Sequence, residues 1–254
     1  MTIRADSTYQ LHCSEIWGGN QDVDCDISTT GMKASIYSSA CCGSTQGGDI
    51  YYFTVCSNEL LTRVMLADLR GHGEQVSQLS AWIYTALRES METLDGASVL
   101  KSLNRTLFER GFQAITTAAV ISFYTANSKL YFSYAGHPPA LLRKRGGQEW
   151  HSLHSSSTRE RANLPLGVFP STDYDQDTIS LQSGDRLAIY TDGVTECPSE
   201  TGEEFGEERL CALLECSRNE EISVIKRQLT GALSIHAGGA ERPDDLTLMI
   251  VEIA

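Results

Sequence analysis

Residues 118–135 read AAVISFYTANSKLYFSYA. The stretch divides into two β-branched and aromatic runs, 118–124 and 129–135, separated by the polar residues 125–128. In the second run Leu130, Phe132 and Tyr134 fall on one face, with Tyr131 and Ser133 on the other, which is the period-2 pattern of a half-buried strand. Strand, short polar turn and strand predict an antiparallel hairpin. Working outward, 61–67 (LTRVMLA), 186–191 and 246–253 are further short apolar runs bounded by turn residues, and each reads as a strand. Helical spacing appears between the first of these and the hairpin. From 75 to 91 Val76, Leu79, Ile83, Leu87 and Met91 recur every three or four residues, and from 97 to 108 Leu100, Leu103 and Leu107 do the same. Two more helical stretches cover 207–216 and 222–237. Strands are consecutive on both sides of a helix pair rather than alternating with single helices. This predicts an α+β fold of packed antiparallel sheets covered by helices, not a doubly wound parallel sheet.

The chain has 254 residues, 41% hydrophobic and 21% charged, enough apolar surface for a substantial core and too much for disorder. There is no repeat, and no linker is long enough to separate domains. The polar segments 143–147 and 152–161 read as surface loops, so 1–254 is expected to be a single domain. The net charge of −13 repels nucleic-acid phosphate and anionic lipid, and neither is an expected partner. A phosphorylated substrate is not excluded, because carboxylates can bind divalent cations that invert the local field. The N-terminal residues lack the apolar core of an export signal, and no stretch reaches about 18 apolar residues, so a cytoplasmic location is expected. The eight cysteines show no C-x-x-C spacing and read as reduced, mostly buried fillers.

The chemistry lies in acidic residues at strand ends. Asp49 stands in GGDIYYF, Asp68 in VMLADLRGHG, Asp192 in AIYTDGVTE, and Asp244 with Asp245 in RPDDLTLMIVEI. Each alone has an ordinary explanation as a turn, a cap or a solvated loop. A carboxylate beside a buried strand is costly to desolvate unless something cationic compensates. Several at separate strand ends suggest one shared cluster able to hold hard cations through oxygen. The neighbouring glycines would suit close approach of the backbone to a ligand.

The order of these segments resembles the metal-dependent protein phosphatase superfamily, and within it the bacterial sporulation and stress-response branch that regulates sigma factors. The matching segments are GGDIYYF, ADLRGHG, TTAAV followed by YAGHPPALL, LPLG, LQSGDRLAIYTDGVTE and DDLTLMIVEI, together about four-fifths of the chain. The resemblance implies a PP2C-like antiparallel β-sandwich flanked by helices on both outer faces. Residues 1–46 would be a lead-in belonging to the same domain. It also implies a phosphoserine or phosphothreonine protein substrate, of the anti-sigma-factor-antagonist kind, in a partner-switching pathway. Carried over by position, Asp49 and Asp68 are the catalytic, metal-binding aspartates, with Asp68 bridging. The Leu69 carbonyl adds an oxygen ligand, Asp192 and Asp244 complete the set, and Asp245 supports it from behind. The implied cofactors are two or three Mn²⁺ or Mg²⁺ ions, which clamp phosphoryl oxygens and activate water for in-line attack with no covalent phosphoenzyme.

Arg70 is a candidate for contact with substrate phosphate. His72 is a weaker candidate for the same site, as a proton donor, and His137 weaker still; both more readily hold loops. The family pattern D-x-Y-D is broken here, since Tyr52 stands where an acid is usual. Trp82 and Tyr84 lie off the apolar stripe of their helix, so the 75–108 pair could meet a regulatory protein. Two rival readings stand beside the phosphatase: a catalytically weak or silent binding module of the same fold, and a two-metal hydrolase of a small phosphorylated molecule.

Overall fold

The computed structural model describes residues 7–12, 14–19, 22–41, 47–70, 74–90, 93–111, 114–156 and 163–254. Two sheets pack face to face. One has six strands in the order β11 (Asp177–Ser180), β8 (Lys129–Ala135), β7 (Thr116–Tyr124), β6 (Leu61–Leu69), β5 (Asp49–Cys56) and β2 (Glu15–Gly19). The other has seven, in the order β1 (Ser7–Gln10), β3 (Val23–Ser28), β4 (Met32–Ser39), β13 (Leu246–Ile253), β12 (Arg186–Tyr190), β9 (Leu141–Arg143) and β10 (His151–Ser152). Strand neighbours run antiparallel throughout, except that β1 lies parallel to β3. The hairpin forms as its pattern requires, with Ala119 opposite Tyr134 and Tyr124 opposite Lys129 around a 3-10 turn at Thr125–Asn127.

Alternation along each strand builds three apolar layers. Phe53, Val64, Ile121 and Phe132 of the six-stranded sheet meet Met32, Ile36, Leu187 and Val251 of the other between the sheets. Each fully buried side chain of this size contributes about 1.5–3 kcal/mol relative to exposure. Outside the six-stranded sheet lie α1 (Glu74–Glu89) and α2 (Gly96–Glu109), burying Val76, Ile83, Leu87, Leu100, Leu103 and Leu107 against Met65 and Val120. Asp95 caps α2 by accepting the Ser98 amide hydrogen at 3.1 Å. Outside the seven-stranded sheet lie α4 (Gly206–Cys216) and α5 (Ile222–Ala237), packed through Leu210, Leu214, Ile225 and Leu229 against Tyr190 and Leu248. The result is a helix-covered antiparallel sandwich, as the strand and helix order predicts.

The boundaries differ from the expected ones where local pattern gives way to pairing. β6 continues past 67 to Leu69 because β7 keeps bonding to it, which puts Asp68 inside a strand. β12 stops at Tyr190, and Asp192 opens a single-turn helix, α3 (Asp192–Thr195), rather than a turn. The expected end of the first helix at Met91 lies outside the described residues. Of the polar segment 143–147, Arg143 is the buried last residue of β9 and the rest lies in the connection to β10, which pairs antiparallel with β9. Arg63 is a cation inside an apolar strand, only 1% exposed. Its guanidinium donates to Ser122 Oγ at 2.9 Å, to the Ser90 carbonyl at 2.8 Å and to the Thr93 carbonyl, which ties the α1–α2 connection to β6.

Candidate metal centre

The carboxylates converge at one end of the sandwich because four strands terminate there. β5 begins at Asp49 and β6 ends just beyond Asp68, and the antiparallel register sets these two residues opposite each other. Alternation puts both on the inner face, with Tyr51, Phe53, Val64 and Leu66. From the other sheet β12 runs out into Thr191 and Asp192, while β13 is entered through Asp244 and Asp245. The β12–β13 pairing, Tyr190 opposite Leu248, holds these two segments side by side.

Carboxylate oxygens of Asp68, Asp192 and Asp244 lie within 4.8 Å of one another. Asp49 stands beside this group and is held separately: Thr191 Oγ1 donates to its Oδ2 at 2.7 Å. Thr191 Oγ1 also accepts the Thr247 amide hydrogen at 3.1 Å, and Thr247 Oγ1 lies 2.9 Å from Ser38 Oγ, so the inner face turns polar just below the acids. Asp245 is 4% exposed, and its carboxylate is taken up by backbone amides. It accepts amide hydrogens from Cys41 at 2.7 Å, Asp49 at 3.1 Å and Gly48, and so fastens the segment that leads into β5. Gly47 and Gly193 make room for Asp245, while Gly71 and Gly73 lie outside the described residues. A Cβ on Gly47 would overlap the Asp245 carboxylate, and one on Gly193 would overlap the Asp245 carbonyl.

A cleft of about 280 Å³ opens over the acids, lined by Asp68, Arg70, Ile115, Thr117, Pro243 and Asp244 among others. Arg70 is exposed at its edge, and Leu69 is among the lining residues with its side chain buried. His72 lies outside the described residues. His137 is buried, with Nδ1 3.0 Å from the Pro138 carbonyl oxygen, and burial pushes its pKa down to about 4. That suits a neutral loop-holding ring. Tyr52 is on the face of β5 opposite to Asp49, among the residues covered by α1, and its hydroxyl donates to Glu15 at 2.8 Å. The break in the D-x-Y-D pattern therefore does not touch the clustered oxygens. The hydroxyls of Thr191, Thr247 and Ser38 are not legible as site residues in the sequence, because threonine and serine in strands carry no pattern that distinguishes them.

Like charge and burial act together here. Burial, then the neighbouring Asp244 and Asp192, push Asp68 up to about 7. Burial and Asp68 raise Asp49 well above the ordinary carboxylate range, against the hydrogen bonds that lower it. Burial, then Asp192 and Asp245, raise Asp244 too. Among the described residues no salt bridge reaches Asp68, Asp192 or Asp244. The three clustered carboxylates are a set of hard oxygen donors, which fits Mn²⁺ or Mg²⁺.

Fold and donor set together define the class as PP2C-like. The SiaA-PP2C domain of Pseudomonas aeruginosa superposes with a TM-score of 0.73 at 17% identity, covering 86% of each chain. The PP2C phosphatase domain of SpoIIE from Bacillus subtilis gives 0.72 at 19% identity, over 89% of this chain and 64% of that one. RsbX in complex with magnesium gives 0.66 at 17% identity, over 90% and 98%. Within that class the sequence profile of Stage II sporulation protein E (SpoIIE) matches residues 59–254, and the chain belongs to the SpoIIE family. Phosphoserine phosphatase RsbU of Bacillus subtilis is 28% identical over 218 residues, 80% of this chain and 58% of RsbU. Phosphoserine phosphatase RsbP of the same organism is 25% identical over 217 residues, 83% of this chain and 50% of RsbP. The chain thus spans about half the length of these curated relatives.

Proposed function

We propose that this protein is a divalent-metal-dependent serine/threonine phosphoprotein phosphatase. The observation that carries the reading is the convergence of Asp68, Asp192 and Asp244 from three separate strand ends, with no salt bridge to any of them among the described residues. Asp68, Asp192 and Asp244, with Asp49 and the Leu69 carbonyl, would hold two or three Mn²⁺ or Mg²⁺ ions. Such ions, when bound, neutralise phosphoryl oxygens and activate water for in-line displacement. The chain's own work is placement. Thr191 fixes one oxygen of Asp49, and Asp245 fixes the backbone that carries Asp49. Arg70, at the edge of the cleft, offers a guanidinium to the phosphoryl oxygens of an arriving side chain.

The names of RsbU and RsbP support phosphoserine as the group attacked, and magnesium on RsbX supports a hard divalent ion. A phosphorylated anti-sigma-factor antagonist is the substrate this reading favours. Hydrolysis of p-nitrophenyl phosphate with Mn²⁺, with Mg²⁺ and with EDTA tests it. The expected result is metal-dependent turnover that falls at least ~10³-fold in Asp68→Asn, by loss of transition-state charge stabilisation. Turnover unaffected by EDTA, or retained by Asp68→Asn, would overturn it.

The same reading takes 1–254 as one domain, with 1–46 belonging to it, because β3 and β4 pair into the sheet that carries β13. Limited proteolysis into two stable halves would sink that. The reading also keeps the protein in the cytoplasm. No helix among the described residues is long and apolar enough to cross a membrane. Helices α1 and α2 are the expected docking face for a regulatory protein. Tyr84 is committed to packing, stacked on Trp17 at 4.3 Å with its hydroxyl donating to Glu15 at 2.6 Å. Trp82 is only half-buried, with the Arg110 guanidinium 5.1 Å from its ring centre. Trp82→Ala should leave basal turnover unchanged and weaken activation by a partner; unchanged activation would remove Trp82 from the interface.

A further inference from the structure

TTAAV, residues 116–120, carries two hydroxyls that neither the sheet pairing nor the acid cluster accounts for. Thr116 has local partners: its Oγ1 donates to the Ala114 carbonyl at 3.0 Å. Thr117 does not. Its Oγ1 is buried and has no hydrogen-bond partner among the described residues. Leaving a buried hydroxyl unmet costs about 1–3 kcal/mol, so such an atom needs an explanation.

Its position supplies one. β6 and β7 pair with Asp68 opposite Thr117, and Thr117 shares the inner face with Ala119 and Ile121. Both residues line the cleft. Cross-strand partners on one face of an antiparallel pair hold their Cβ atoms about 4.5–5.5 Å apart, within hydrogen-bond reach after a side-chain rotation. Asp68 in turn has no hydrogen-bond donor among the described residues. An oxygen-rich acceptor without a donor faces a donor without an acceptor. The same end of the sandwich shows the finished form of this arrangement, where Thr191 Oγ1 donates to Asp49 Oδ2 at 2.7 Å.

We propose that Thr117 is a positioning residue for the metal centre: its hydroxyl donates to one Asp68 carboxylate oxygen when the other oxygen is engaged by a cation. The hydrogen bond fixes the carboxylate plane, so that less freedom is lost when the ion binds. Carboxylate ligands of metals are commonly oriented in this way, and losing the orienting group costs about 10–100-fold in metal affinity. The proposal rests on the reading of Asp68 as a metal ligand.

The test is Mn²⁺ titration by calorimetry on wild type, Thr117→Val and Thr117→Ser, with melting temperatures of the metal-free proteins in EDTA. Thr117→Val keeps the shape and removes the hydroxyl, so Mn²⁺ should bind about 10-fold more weakly. Thr117→Ser keeps the hydroxyl and should bind within about threefold of wild type. In EDTA the melting temperature of Thr117→Val should be no lower than that of wild type, since the substitution removes a hydroxyl that is unmet until loading. Wild-type affinity in Thr117→Val would overturn the proposal. Equal weakening in Thr117→Val and Thr117→Ser would overturn it as well, by assigning the effect to packing. Should Thr117→Val fail to fold, Thr117→Ala against Thr117→Ser isolates the hydroxyl, since both lack the methyl. Wild type that takes up no Mn²⁺ would instead remove the metal reading of the whole cluster, and this proposal with it.

Discussion

Asp245 and Asp68 lie at the same end of the sandwich, yet they are held in opposite ways. Asp245 is saturated: three backbone amides donate to it, from segments about two hundred residues away in sequence. Asp68 faces Asp192 and Asp244 with no donor among the described residues, and its pKa is driven up to about 7 by burial and by those acids. One carboxylate is a structural rivet whose partners are all supplied by the protein alone. The other belongs to a group that the protein alone makes unfavourable. Such mutual repulsion is what the proposed metal reading relies on, because a cation would turn it into attraction.

The comparison breaks most visibly at Asp245. Asp245→Ala leaves three buried amide hydrogens without their acceptor and should destabilise the metal-free protein by about 3–5 kcal/mol, read as a lower urea midpoint in EDTA. A change under about 1 kcal/mol would show that the amides find other partners. Asp68→Asn should act in the opposite direction under the same conditions. Removing one of three mutually repelling acids should raise the metal-free stability by about 1–2 kcal/mol, even as it abolishes metal-dependent turnover. A loss of stability would mean that Asp68 makes a favourable contact in the unloaded protein.

The smallest effect is the pH dependence of that second difference. The folded-state pKa of Asp68 lies above its ordinary value of 3.8, so the folded protein holds the extra proton. The associated stability is fully present below the ordinary value and is lost as pH rises through about 7. The gap between Asp68→Asn and wild type in EDTA should therefore be near zero at acid pH and widest above neutrality. Melting temperatures across that range check it, and a gap independent of pH would contradict the raised pKa.

Period-2 and period-3.6 patterns are readable one element at a time, and they suffice for the hairpin, the helix pair and the last strand. β3 (VDCDIS) carries the same period-2 pattern, with Val23, Cys25 and Ile27 buried between the sheets and Asp24, Asp26 and Ser28 on the other face. Yet it is not among the strands predicted above; its pairing with β4, itself paired with β13, shows it to be one. The aspartates at strand ends are legible because a carboxylate beside an apolar run is chemically odd. Their division into fixed and free is not. Asp244 and Asp245 are adjacent and identical in type, and nothing local says which one joins the cluster. Nor does anything local turn Tyr52 away from Asp49 except the pleat itself.

The sequence by itself determined the class of fold, the supply of acids and the positions at which they leave the strands, since these follow from local periodicity and composition. Which acids meet, which are saturated by backbone amides and which hydroxyls stand beneath them was decided only by the tertiary structure. The physical reason is range. Asp68, Asp192 and Asp244 are brought within 4.8 Å by the pairing of strands far apart in the chain. Electrostatic repulsion and hydrogen bonding depend on that distance and not on separation along the sequence.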